Sequence, residues 1–267
     1  MHVFHPAQAY QGIPPENLFL IADESNQAIA QGYMRQTYQP YLFPERPVNL
    51  YFEMQTQGPG RDMLLGALLA RAYQLRAQTM YLKSRVYTQV TPGDEATLRF
   101  YTDAGFDTED AEDIVQLGMP DAKPAAPMGY ELGLVPLGSP VEQAAFLTRM
   151  NTYRISAITP EALVRYLQMQ DFTALYVSRG KEIVGEGFFS GQGASASLLG
   201  LYVMPNYRRL GIAKNLIAAG MQALGQKGVG RVDAAVLRRN APQCHLAQSC
   251  RATFIRTRNL YPGVNID

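Results

Sequence analysis

Val203-Met204-Pro205-Asn206-Tyr207-Arg208-Arg209-Leu210-Gly211-Ile212-Ala213 is the stretch on which the reading of this chain turns. An apolar run, 198–204, stops at Pro205. A helical pattern takes over from Lys214 to about Gln226, with Leu216, Ile217, Gly220, Met221 and Leu224 on one face. Gly211 and Ala213 carry almost no side chain, so a ligand can approach the backbone there. The first amides of a helix have no partner within it, and the helix dipole favours an anion at that end. Arg208 and Arg209 add charge-assisted donors suited to phosphate. The stretch predicts a pyrophosphate cradle between a strand and a helix; the alternative is a solvated basic turn. It has neither the G-x-G-x-x-G of dinucleotide folds nor the G-K-[ST] of triphosphate loops.

Working outward, 231–237 reads as a further strand after this helix, and the same order of elements occurs earlier in the chain. There, 48–54 is an apolar strand, Gln55-Thr56-Gln57-Gly58-Pro59-Gly60 a Gly-containing loop, 61–77 a helix and 80–87 a second strand. The repeat predicts two halves of one architecture. The segment 120–127, Pro120-Asp121-Ala122-Lys123-Pro124-Ala125-Ala126-Pro127, is proline-rich and aperiodic, so it reads as an extended connection between halves at 1–119 and 128–267. In the second half, 141–150 and 160–168 read as helices, and 174–178 and 183–190 as a hairpin turning at Arg179-Gly180-Lys181. The first half has a similar strand pair, 18–22 and 28–33, without the two preceding helices. It looks abbreviated.

The 267 residues carry 24 basic and 23 acidic side chains, which argues against a nucleic-acid partner, because polyanion binding needs a dense excess of Lys and Arg. No apolar run approaches the roughly 20 residues that span a bilayer, so no membrane partner is expected. The opening residues lack a basic region followed by an apolar stretch, and a cytoplasmic location is the expectation. Cys244, Cys250 and three His supply no metal-ligand cluster, so no metal is expected.

Arg208-x-x-Gly211-x-Ala213, preceded by Val203-x-Pro205, resembles the acetyl-CoA loop of the GNAT superfamily of N-acetyltransferases. Gln55-x-x-Gly58-x-Gly60 resembles a second copy, and 96–106, with Tyr101 ahead of Gly105-Phe106, looks like the family's last helix. The resemblance covers most of 15–119 and 130–262. It implies an α/β (α+β) fold of two GNAT-like acyl-CoA N-acyltransferase halves, each a mixed, mostly antiparallel sheet flanked by helices. It also implies acetyl-CoA as co-substrate, a primary amine of a small molecule or peptide as acceptor, direct attack in a ternary complex, and a chain that pairs as a homodimer. The cofactor-binding residues it implies are Leu201, Tyr202 and Val203 on the strand, Arg208, Arg209, Leu210, Gly211, Ile212, Ala213 and Lys214 in the turn, and Asn240, which opens the last helix.

The catalytic residues are less defined. Tyr101 matches the family's general acid, but its own half offers Gln55 and Gln57 in place of arginines, and Pro59 removes an amide donor. The position matching Tyr101 in the second half is Ala247. Glu53, at the end of the strand before the first loop, and Glu186, on a strand of the second half, are candidate bases; the alternative for each is a solvated strand-edge charge. The missing phenol leaves open a second reading, a catalytically silent module that binds or senses acyl-CoA.

Overall fold

The computed structural model describes residues 1–56 and 58–267. In chain order the elements are β1 (His2–Phe4), β2 (Leu18–Ala22), β3 (Ala28–Tyr38), β4 (Val48–Thr56), α1 (Arg61–Ala77), β5 (Ser84–Tyr87), α2 (Glu95–Asp103), β6 (Ala111–Gln116) and β7 (Glu131–Leu134). There follow α3 (Pro140–Asn151), α4 (Pro160–Leu167), β8 (Thr173–Arg179), β9 (Glu182–Gln192), β10 (Ser195–Val203), α5 (Ile212–Gly225), β11 (Arg231–Leu237), α6 (Ala241–Ser249), β12 (Thr253–Leu260) and β13 (Gly263–Ile266). Among the described residues two compact units form, one from Met1–Ala111 with Asn259–Asp267, the other from Glu112–Arg258.

The first unit is a sheet in the order β1-β2-β3-β4-β5-β13, antiparallel except for the β4–β5 pair. Side chains alternate across a strand. Met34, Leu50, Phe52 and Val86 therefore share one core with Leu64, Leu68 and Ala72 of α1 and Tyr101 of α2. Tyr33, Tyr51, Glu53 and Tyr87 fall on the other face.

The second unit is a sheet in the order β12-β6-β11-β10-β9-β8-β7, with β10–β11 its parallel pair. Helix α5 covers one face: Ile212 and Leu216 pack with Val177 and Val184, and Ile217 and Leu224 with Phe189. Each such aliphatic side chain contributes about 1.5–3 kcal/mol on burial. Gly220 lets the helix lie this close, since a Cβ there would stand 2.1 Å from the Phe189 ring. Helices α3 and α4 cover the opposite face, where Phe146, Met150 and Leu163 join Ala174, Phe188 and Tyr202. The helix starts follow the local sequence: Ser139 and Glu142 form a reciprocal cap on α3, and Thr159 caps α4 ahead of Pro160.

Mixed sheets flanked by helices are thus present twice, as the repeat implies. Three details depart from the sequence pattern. The strand expected over 80–87 is confined to Ser84–Tyr87, and Met80 and Tyr81 are exposed in the turn before it. Helix α5 begins at Ile212 rather than Lys214, because the left-handed Gly211 is already its N-cap. The segment 120–127 has no helix or strand, while the compact units divide at Ala111/Glu112 and Arg258/Asn259. The reason lies in the last strands. β6 pairs with β11 in the second sheet and β13, at the C-terminus, pairs with β5 in the first. A local pattern cannot specify such long-range pairings.

Candidate functional site

The second unit's site starts where β10 leaves its parallel neighbour. Pairing with β11 runs from Ser195↔Arg231 to Leu198↔Ala234 and stops. Beyond it β10 stays paired with β9, from Gly200↔Phe188 to Val203↔Gly185, while β11 turns to β6. The two parallel strands splay, and a bulge in β10 between Leu198 and Gly200 lies at the point of the V. Tyr202 is opposite Glu186 and Met204 donates its amide to Val184 (2.8 Å), so the backbone groups of these even-numbered residues face β9. Those of Leu201 and Val203 consequently face the open side of the V. An unpaired edge of this kind can receive an extended ligand as an added strand.

Past the strand end, Pro205–Tyr207 makes a single 3-10 turn, Arg208 is extended and Arg209 adopts φ +64°. Gly211 follows at φ +81° as N-cap of α5, a conformation that suits glycine. The helix's first internal bond runs from the Asn215 amide to the Gly211 carbonyl (3.0 Å), so the amides of Ile212, Ala213 and Lys214 precede the ladder and open at the mouth of the V. No acidic residue stands in the first turn of α5, and Arg209, Leu210 and Gly211 are exposed. The Nε of Arg208 donates to the Val203 carbonyl (3.1 Å), bracing the turn against the strand it leaves. Asn240 is buried and caps α6, its Oδ1 accepting from the Gln243 amide (3.1 Å).

On the α3 face, Glu186 is fully buried. Its carboxylate takes both Nε (3.1 Å) and Nη2 (2.6 Å) of Arg149 and accepts the Tyr202 hydroxyl at 2.7 Å. Tyr202 in turn stacks on Tyr153, with ring centroids 4.5 Å apart and planes 10° from parallel. Burial first, then the Glu186 charge and hydrogen bond, push the Tyr202 phenol well above the usual tyrosine range, so it stays protonated. The Glu186 hydrogen bonds likewise hold the Arg149 guanidinium above its ordinary value. A cleft of about 410 Å³ lies over this cluster, lined by Arg149, Tyr153, Lys181, Glu182, Tyr202 and Met204 among others. Glu186 is neither solvated nor at the edge of the sheet. With its oxygens taken by a guanidinium and a phenol, it is built to orient Tyr202 rather than to receive a proton.

In the first unit the candidates separate. Glu53 accepts the Tyr33 hydroxyl (2.5 Å) on the face away from α1, and burial together with Glu53 pushes the Tyr33 phenol up to about 12. Tyr101 is buried on the α1 side, its ring 5.8 Å from Phe52 and 5.4 Å from Phe106. Phe52 and Glu53 are consecutive on β4, so Glu53 and Tyr101 lie on opposite faces and do not form an acid–base pair. Asp94 caps α2 through the Thr97 amide (3.0 Å) as Asn240 caps α6. That places Ala247 where the first unit has Tyr101. Helix α1 is capped by Gly60 at φ +99°, so Gly60 rather than Gly58 corresponds to Gly211, and Gln55 belongs to β4. Gln57 lies outside the described residues.

The residues that sequence reading missed are Arg149, Tyr153 and Arg154. They stand on and just after α3 as ordinary helix-surface types, and only their tertiary partners distinguish them.

The chain is similar to known proteins in part of its sequence and in its fold. Residues 145–251 match the acetyltransferase (GNAT) family model. A GCN5-related N-acetyltransferase from Sphaerobacter thermophilus is 16% identical with a TM-score of 0.50, the alignment covering 96% of this chain and 82% of that one. A GCN5-related N-acetyltransferase from Anabaena variabilis ATCC 29413 is 13% identical with a TM-score of 0.54, over 95% and 63% of the respective chains. A tandem GNAT protein from the clavulanic acid biosynthesis pathway aligns at 16% identity and TM-score 0.46, over 93% and 82%. No curated protein matches the sequence. The matched segment, residues 145–251, contains the splayed strands, the Arg208–Lys214 turn and α5. Among the described residues no group of three or more His, Cys, Asp or Glu could hold a metal ion, and no helix is long and apolar enough to cross a membrane.

Proposed function

We propose that the second unit binds acetyl-CoA and transfers its acetyl group to a primary amine of a small molecule or peptide. The observation that carries this reading is the joining of an open V in the sheet to a helix N-terminus free of acidic side chains. The donor set fits the ligand. The amides of 210–214 and the Arg209 guanidinium suit a pyrophosphate, and the outward groups of Leu201 and Val203 suit the amides of an extended pantetheine arm. Acetyl-CoA supplies an acetyl thioester. The amine nitrogen forms a bond to the acetyl carbon, the carbon–sulfur bond breaks, the thiolate takes up a proton to become the free thiol, and the nitrogen loses one. A backbone amide on the open edge of β10 stabilises charge developing on the thioester oxygen, the kind of preorganised donor worth two to three orders of magnitude in rate. With Glu186 held by Arg149 and Tyr202, the proton on nitrogen leaves through water in the cleft.

The test is binding plus turnover. Calorimetry should show one acetyl-CoA per chain, and a panel of amines should release free thiol, read with a colorimetric reagent. Failure to bind would end the proposal. Ala247 favours a second reading, a CoA-binding module without turnover, because the position matching Tyr101 carries no phenol to protonate the departing thiolate. Binding without thiol release over a broad amine panel is its signature.

A further inference from the structure

The V in the sheet has a carbonyl at its point, and one side chain takes it. Leu199 is the bulged residue of β10, and its carbonyl accepts a hydrogen bond from Nη1 of Arg154. That guanidinium comes from the turn after α3. Its Nε donates to the Ser156 carbonyl (3.1 Å), so its plane is set from two directions. The turn is closed by Asn151, which donates to the Ile158 carbonyl (3.0 Å) and accepts from the Ile158 amide (2.8 Å). Gly200 makes the approach possible: a Cβ there would lie 3.1 Å from Arg154 Nη1 and 2.5 Å from the Phe188 ring. Burial draws the Arg154 guanidinium below its ordinary value, a cost consistent with a group committed to carbonyl acceptors.

Arg208 engages the Val203 carbonyl at the other end of the same strand segment. The two arginines thus occupy the carbonyls at each end of 199–203 and leave the open edge between them rich in donors. A carbonyl that looked for its own partner could collapse the bulge, re-forming regular pairing and turning the amides beyond it by one residue.

We propose that Arg154 is a positioning residue: by holding the Leu199 carbonyl it keeps the β10 bulge, and so aims the amides that follow it at the acyl oxygen of the bound thioester. This rests on the reading that the second unit seats acetyl-CoA, and it adds a residue that touches neither substrate. Its effect falls on the acyl group and spares the nucleotide, which is seated at the other end of the strand.

The experiment compares the full-length chain with Arg154→Ala and Arg154→Lys. It uses acetyl-CoA carrying ¹³C at the acetyl carbonyl, read by difference infrared spectroscopy, beside calorimetric affinities for CoA itself. In the wild type the bound carbonyl band moves to lower wavenumber than in solution. Arg154→Ala should lose most of that displacement and about a hundredfold in kcat, while CoA affinity and the KM for acetyl-CoA stay within about threefold. Lysine lacks the fork that spans Leu199 and Ser156, so Arg154→Lys should fall between the two; it carries the test if the alanine variant does not fold. An undiminished displacement in either variant overturns the proposal. So does a parallel loss of CoA and acetyl-CoA affinity, which would make Arg154 a tether of the whole domain. A wild-type chain that binds neither CoA nor acetyl-CoA removes the underlying reading, an outcome distinct from both.

Discussion

At the start of α5, Gly211 stands at φ +81° and the first turn presents Ile212, Ala213 and Lys214; at the start of α1, Gly60 stands at φ +99° and the first turn presents Arg61, Asp62 and Met63. The backbone plan is shared: each strand runs past its last parallel pairing, at Leu198↔Ala234 or Tyr51↔Tyr87, into a turn ending on a left-handed glycine. The side chains are opposed. Asp62 places a carboxylate at the positive end of α1, satisfying the dipole an anion would use. The Arg61 guanidinium lies 3.7 Å from the Phe100 ring centroid and 5.8 Å from that of Tyr101, bridging α1 to α2. On the reading proposed above, a turn becomes an anion seat by what its first residues leave open, and in the first unit Arg61 and Asp62 occupy that place.

That contrast can be broken most forcefully at the two carboxylates. Glu186→Ala leaves Arg149 beside an empty buried site and should cost about 3–5 kcal/mol of stability in chemical denaturation. Glu53→Ala removes a half-buried partner of Tyr33 and should cost about 1 kcal/mol. Equal losses would mean that the two faces are built alike.

Next in size is the proposed cofactor seat. Gly211→Glu forces a side chain into the left-handed region and sets a negative charge at the start of α5. Calorimetric CoA affinity should drop at least a hundredfold, about 2.7 kcal/mol. Gly58→Glu, with nothing within 4 Å of its Cβ, should leave affinity unchanged. If both substitutions weaken binding alike, the first turn is a seat as well.

The smaller effects appear as pH dependence. Tyr33, raised above its unfolded value of about 10 to about 12, favours folding while protonated. That contribution is complete below pH 10 and is lost as pH rises through 12, so Tyr33→Phe should flatten stability across that window. The smallest expected difference lies between the two capping residues. Asp94 is held below its ordinary value by the Thr97 amide and hydroxyl, so its contribution is present above the unfolded carboxylate pKa and fades as pH falls through the lower folded one. Asn240 does not titrate. Asp94→Asn should therefore remove an acid-sensitive step from α2, seen by amide exchange, and leave α6 as it was.

Much of this was legible in the residues. The hairpin turning at Arg179-Gly180-Lys181, the glycine before each long helix and the apolar face of α5 are local rules, and they hold because hydrogen bonding and sterics act over a few residues. The Arg208–Ala213 turn was legible for the same reason: every donor in it is a near neighbour of every other. Glu186 shows the limit. As a charge on a strand it is compatible with solvent, and only Arg149 and Tyr202 (37 and 16 residues away along the chain) make it a buried structural anion.

What the sequence determined alone is the set of short-range devices: caps, turns, amphipathic faces and a strand-to-helix turn stocked with donors. Tertiary structure alone decided which strands close each sheet, that the parallel pair splays at Leu198, and that Arg154 meets the Leu199 carbonyl. Those outcomes depend on groups far apart in the chain whose pairing is chosen by burial and by unsatisfied backbone atoms, which no local pattern records.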